Sequence, residues 1–494
     1  MADLNSNVRT DKKEKEQGKK QEKKQEKKQE KKVEKLEKKL WKERLKLKQK
    51  QKEKENRKKA NGRLDWDKLD NTANLFPVIA DETMTNVYRI AVNLTEEIIP
   101  EKLEMAIEKV LEQIPLFRMR LRQGAFWYYF EENLRPFPGI REEYKVPGSY
   151  IDKHNNNQYM FRVTFYKCRI NLEVFHALTD GFGGTIFLQE IIYQYLRYVH
   201  PQIKEETAGS DYPEIDKISA GIHMDREDSY VKNFKKPAKR KGSYQSGKGL
   251  VLKGEKLAPG NLGIMHGFLS VAELKKASKE KGITINELLV GCFVYAVYKG
   301  YLNGRASKLP IRCCVPVNLR PFFDSTTMKN FFVMVSAEFK PEERENEYSF
   351  DEVMDVVHES LKKQITKEHL EEILSYNVSN QQKKILRIVP LPIKKLAIGY
   401  VYGISANATT STVTNIGNIK MREPYRKYID KFYVILSVSK GQNMKGTIVS
   451  YGDTLTFTIS SILTDTSVQK YFFRTLKQLG IDVAIETNGF GAEE

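Results

Sequence analysis

Leu172-Glu-Val-Phe175-His176-Ala-Leu-Thr-Asp180-Gly181-Phe-Gly183-Gly184 is the stretch on which the reading of this 494-residue chain turns. Residues 172–175 read as an apolar strand, and helical periodicity begins at Gly184. A histidine where a strand ends sits at a sheet edge, where a cleft can open. Asp180 follows four residues on, and Gly181 then lets the backbone turn sharply. A neutral imidazole takes a proton from an attacking hydroxyl or amine near pH 7. Asp180 either orients the ring or holds the loop by pairing with a distant arginine. The loop role is favoured, because adjacent loop positions tend to turn their side chains apart. The competing reading is a structural histidine capped by its own loop. The glycines lack the spacing and the Lys-Ser/Thr of a phosphate-binding loop, so they read as a flexible turn.

Working outward, residues 86–94 alternate as a strand with Tyr88, Ile90, Val92 and Leu94 on one face. Residues 100–113 carry Leu103, Ala106, Ile107, Val110 and Leu111 at helical spacing. Strand-like runs at 117–121, 126–130, 160–166 and 170–175 precede a helix at 184–199 that Pro201 stops. After a polar stretch at 201–260, the spacing predicts helices at 271–281, 285–298, 348–367, 384–404 and 466–479. Strands are expected at 309–318, 331–339, 411–416, 432–438, 447–451 and 455–460. This mixed order predicts an α+β fold rather than a doubly wound parallel sheet. Each half offers helices on a largely antiparallel sheet, so a pseudo-duplicated pair with a cleft between is expected. The expected organisation is a tail over 1–63, a first subdomain over 64–205, a linker over 206–260 and a second subdomain over 261–494.

The formal net charge of +19 belongs mostly to one end. Through Arg63 there are 26 Lys/Arg against 12 Asp/Glu, while the other 431 residues carry 57 against 52. Residues 17–32 repeat with a period of four, which stacks like charges on a helix and favours fraying or disorder. Val33, Leu36, Leu40 and Leu47 then make a short amphipathic basic helix. A solvated arm is the plainer reading; an anionic membrane surface or RNA is the functional one. Cys168, Cys292, Cys313 and Cys314 form no CxxC pair, so neither a disulfide framework nor a zinc site is expected, and a reducing cytoplasm is. The remaining histidines show no ligand spacing, so no metal is expected. No apolar signal segment and no spanning run of eighteen apolar residues is read, which leaves peripheral attachment to a membrane open. No GxSxG occurs, which disfavours a covalent acyl-enzyme.

His176 to Gly181 resembles the HxxxDG signature of the acyl-CoA-dependent acyltransferase superfamily, which includes chloramphenicol acetyltransferase and peptide-synthetase condensation domains. Leu75-Phe76-Pro77, Asn86-Val-Tyr-Arg89 and Gly124-Ala-Phe126-Trp127-Tyr128-Tyr129 look like bacterial alcohol acetyltransferase-like members. Pro316-Val-Asn318-Leu-Arg320, Asn330-Phe331-Phe332 and Thr414-Asn415-Ile416-Gly417 are similar to later motifs of the superfamily, in the same order. The resemblance covers roughly 64–494. Phe175 stands where condensation domains usually carry a second histidine, and Lys329 where a glycine usually precedes Asn-Phe.

The resemblance implies two chloramphenicol-acetyltransferase-like subdomains in a V-shaped pseudo-dimer with an interface tunnel. It implies acyl-CoA, acetyl-CoA first, as co-substrate with no bound cofactor, and a small alcohol, amine or sugar as acceptor. His176 is then the general base. Asp180 is expected to pair with a buried arginine, Arg320. Oxyanion or tunnel candidates are the backbone near Gly181 and the side chains of Asn330, Thr414 and Asn415. The alternatives are a condensation or tailoring step with carrier-bound acyl donors, or an inactive scaffold whose tail binds membrane or RNA.

Overall fold

The computed structural model describes residues 64–203, 226–235, 247–381 and 388–491. The expected basic tail and most of the expected linker lie outside them. The first part of the chain runs β1 (Trp66–Lys68), α1 (Phe76–Ile79), β2 (Val87–Leu94), α2 (Pro100–Gln113), β3 (Met119–Gln123) and β4 (Tyr128–Glu132). It continues with β5 (Arg141–Glu142), β6 (Phe161–Tyr166), β7 (Arg169–Phe175) and α3 (Gly181–Val199). After α4 (Ser229–Lys232) come β8 (Gly263–Ser270), α5 (Val271–Glu280), α6 (Ile285–Gly300), β9 (Ile311–Asn318), α7 (Arg320–Phe323) and β10 (Phe332–Phe339). Then follow α8 (Phe350–Gln364), α9 (Lys367–Gln381), α10 (Leu391–Ser405), β11 (Ser411–Asn418), α11 (Glu423–Arg426) and β12 (Ile429–Leu436). β13 (Met444–Tyr451), β14 (Thr454–Ser461), α12 (Ser467–Gln478) and β15 (Val483–Thr487) complete it.

Two sheets carry the fold, in the α+β arrangement expected. The first has strand order β12-β2-β7-β6-β5, and the second β10-β9-β11-β13-β14-β8-β15. The apolar stripe of α2 (Leu103, Ile107, Val110) and that of α3 (Phe187, Leu188, Ile191, Ile192) cover the first sheet at Ile90, Val92, Leu172 and Val174. Helices α6, α8 and α12 cover the second, with Phe293, Val297, Val357, Leu361, Phe472 and Leu476 against Val315, Val335 and Phe457. β11 runs parallel to both β9 and β13, which makes that sheet mixed.

One strand changes sheet. β12 lies beyond residue 261 yet pairs antiparallel with β2, Val434 opposite Ile90. Its outward carbonyls need other donors. The second sheet supplies them: Thr447 donates to Val434, Thr456 to Phe432 at 2.9 Å and Ser460 to Leu436 at 2.8 Å. The expected 261–494 subdomain therefore does not hold all of its own strands. Other differences are local. Pro115–Arg118 coils as a 3-10 turn, so the strand expected from 117 starts at Met119. The chain breaks at Ile365, and a second helix, α9, follows α8.

Candidate active site

β7 delivers His176 to the end of the first sheet, where its backbone N–H donates to Asn86 O at 2.9 Å. The ring is half-buried and lines a cavity of about 1110 Å³ together with Phe76, Tyr88, Asp180, Gly181, Phe332 and Thr414. Phe76 stacks on it at 4.5 Å between ring centres, and Tyr88 meets it edge-on at 5.1 Å. Burial holds the imidazole below its ordinary 6.5, opposed by the charge of Asp180 and by the hydrogen bond to Asn330.

The ring's tautomer follows from its partners. Nδ1 lies 3.0 Å from Asn330 Oδ1. The Asn330 amide nitrogen is already committed, donating to Asp70 Oδ2 at 3.0 Å. Its oxygen therefore faces the ring as acceptor, and Nδ1 carries the proton. Nε2 is left with its lone pair and makes no hydrogen bond among the described residues. Asp70 is buried and also accepts from Ala73 N at 2.7 Å and Asn330 N at 3.2 Å. Burial pushes its carboxyl up to about 7, against the hydrogen bonds that favour the anion.

Asp180 turns away from the ring and into the loop. It caps α3, accepting from Phe182 N and Gly183 N at 3.2 and 3.3 Å. Arg320 reaches it with two bonds, at 2.9 and 3.2 Å, and Phe331 N donates to it at 3.0 Å. Arg320 is buried, and its other donors go to the carbonyls of Thr327 and Lys329 and to Asn318 Oδ1. The pair that the resemblance implied is brought together, and it ties the His176 loop to α7, with Phe331 just before β10 held to the same carboxylate. Two charges taken out of water are tolerable only when every donor is met, as here.

Two expectations are corrected. Gly181 does not supply a sharp turn; it is the first residue of α3. Space is what requires glycine two residues on, where a Cβ on Gly183 would fall 2.6 Å from the Met328 carbonyl; at Gly181 a Cβ would meet only the movable end of Ile416. Asn330, expected as an oxyanion or tunnel candidate, is buried with its amide nitrogen directed at Asp70 and is not among the residues that line the cavity. Asn415 borders the cavity, but its amide is held by Asn286 at 3.3 Å and its oxygen by Gly417 N at 2.8 Å. Thr414 lines the cavity with a hydroxyl that makes no hydrogen bond among the described residues. Asp70 was missed by sequence reasoning, which had no signal for it: it sits 106 residues before His176 in a polar run without a motif.

Among the described residues no group of three His, Cys, Asp or Glu side chains gathers in a way that holds a metal ion, and no helix is long and apolar enough to cross a membrane. No family model matches the sequence, and no curated protein matches it. Solved structures match the fold. TRI101 of F. sporotrichioides, solved with coenzyme A and T-2, gives a TM-score of 0.56 at 8% identity, over 85% of this chain and 99% of that one. The TRI3 trichothecene 15-O-acetyltransferase of Fusarium sporotrichioides gives 0.52 at 12% identity, over 85% and 95%. The condensation domain of the Monacolin K polyketide synthase MokA gives 0.51 at 9% identity, over 85% and 97%. The body of this chain thus has the fold shared by CoA-dependent acyltransferases and condensation domains.

Proposed function

We propose that this protein is an acyltransferase that moves an acyl group, acetyl first, from CoA to a hydroxyl or amine of a small acceptor. The observation that carries this reading is the His176 ring at the wall of a large cavity, its Nδ1 engaged by Asn330 and its Nε2 without a hydrogen bond among the described residues. Nε2 takes the proton as the acceptor oxygen or nitrogen attacks the thioester carbonyl. The carbonyl π pair moves onto oxygen and gives a tetrahedral oxyanion. Its collapse breaks the C–S bond, and the departing thiolate takes the proton back from the imidazolium. No acyl-enzyme forms. The Asp180 charge favours the transient imidazolium without touching it. Thr414, whose hydroxyl makes no hydrogen bond among the described residues, is the side-chain donor for the oxyanion, and the Gly181 N–H is the backbone candidate; such a donor is worth about 3 kcal/mol.

Acetyl-CoA incubated with pools of alcohols, amines and sugars tests the proposal. Thiol release in proportion to acylated acceptor, with no acetylated protein by intact mass, is the expected result. Turnover with acyl chains on a carrier protein but none with any acyl-CoA would overturn the donor assignment.

A further inference from the structure

The second sheet floors the cavity with a row of small polar side chains and one lysine. Ser336 lies opposite Cys314, Cys314 opposite Thr412, and Lys445 opposite Ser460. Val413 pairs with Gly446, so Thr412 and Lys445, one residue earlier on adjacent parallel strands, share the other face. Ser336, Cys314, Thr412 and Lys445 all line the cavity that His176 lines.

The charges of this wall nearly cancel. Arg312 is paired with Glu338 at 2.7 Å, and Arg320 with Asp180 at 2.9 Å. Lys445 has no carboxylate partner among the described residues; its Nζ donates to Ser439 Oγ. Burial brings its ammonium down to about 8, partly opposed by Cys314, so most of it is still charged near pH 7. A half-buried ammonium with one neutral partner has two donors to spare and an unmet electrostatic cost. Next to it stand Gln442 and Thr412, bonded to each other at 2.8 Å. Among the described residues the wall therefore offers one uncompensated positive charge in a polar part of the cavity.

Resting on the acyl-transfer reading above, we propose that Lys445 binds a single carboxylate of the acceptor and so selects hydroxy or amino acids over neutral alcohols and amines. One ammonium balances a monoanion; a pyrophosphate would leave charge unmet at the same place. The lysine acts as a point charge and gives affinity without imposing a bidentate geometry.

The experiment compares hydroxy acids with their own primary amides as acceptors, by thiol release from acetyl-CoA. Wild type is expected to favour the acid by on the order of 30-fold in kcat/KM. Lys445→Met is expected to collapse that ratio to about one through KM for the acid, while Lys445→Arg keeps part of it. An unchanged ratio in Lys445→Met overturns the proposal, as does a loss that falls on KM for acetyl-CoA instead. If wild type turns over no acceptor, the acyl-transfer reading has failed, and calorimetry with benzoate against benzamide decides the site separately. Tighter benzoate binding that disappears in Lys445→Met supports it; equal binding of the two overturns it.

Discussion

At the residue scale, the ring proposed as the base, His176, is held by what surrounds it. Phe76 fixes the plane of the ring, and Asn330, itself held by Asp70, fixes which nitrogen carries the proton. Because burial keeps the imidazole below its ordinary 6.5, the neutral form prevails at neutral pH. The kcat/KM profile for a neutral acceptor, which makes no use of Lys445, is expected to be flat above that value and to fall about tenfold per pH unit below the depressed pKa. Folding stability follows the same sign: the histidine's contribution is full above 6.5 and is lost as pH falls from there through the depressed folded value, because the unfolded chain binds that proton more tightly. Asn330 holds the pKa up, so Asn330→Ala is expected to move the acid limb of the rate profile to lower pH. It should also cut kcat by about 10² as the ring loses its orientation. A purely structural Asn330 would lower activity without moving that limb. His176, Asp180 and Arg320 were legible in the sequence because they lie in short motifs with known chemistry. Asp70 was not, because its partner Asn330 is 260 residues away and nothing local marks either as a contact.

Periodicity located elements wherever one face is buried and the other wet. β2, α2, β7 and α8 fall within a few residues of their apolar patterns. β8 was hidden by its two glycines, Gly263 and Gly267, which leave room for Phe490 and Phe473. β15 was hidden because it is an edge strand with mostly exposed side chains. α3 begins three residues ahead of its apolar pattern, since Asp180 caps a first turn built of close-packed glycines rather than of good helix formers. Register also gathers charge. Arg89 of β2 and Arg162 of β6 converge on Glu173 of β7, all three buried, with Gly148 N donating to the same carboxylate at 2.7 Å. Removing the anion leaves the buried Arg162 without a carboxylate partner among the described residues and leaves Arg89 only Glu143. Glu173→Ala is expected to lose about 3–5 kcal/mol in a denaturant titration with little change in slope. A loss below about 1 kcal/mol would show that solvent meets those arginines.

For the molecule as a whole, the exchange of β12 matters more than any single core. A chain read from one end to the other suggests two halves divided near residue 260, because composition and periodicity report neighbours in sequence. They say nothing of which sheet a strand joins. With β12 completing the first sheet while hydroxyls of β13 and β14 bond its carbonyls, the two sheets are expected to melt as one calorimetric transition. Thr456→Val leaves the buried Phe432 carbonyl unmet and is expected to cost about 1–3 kcal/mol without splitting that transition. Two separated transitions in the wild-type protein would contradict the coupling.

In the proposed reaction the same joined body presents His176 to two substrates at once. The direct measurement is the rate of CoA release from acetyl-CoA, with an accepted acceptor, by wild type and His176→Ala at matched fold, verified by circular dichroism and unfolding midpoint. The ring's role as base predicts a loss of about 10²–10⁴ in kcat with the fold intact. Wild-type rates from a folded His176→Ala protein would contradict it.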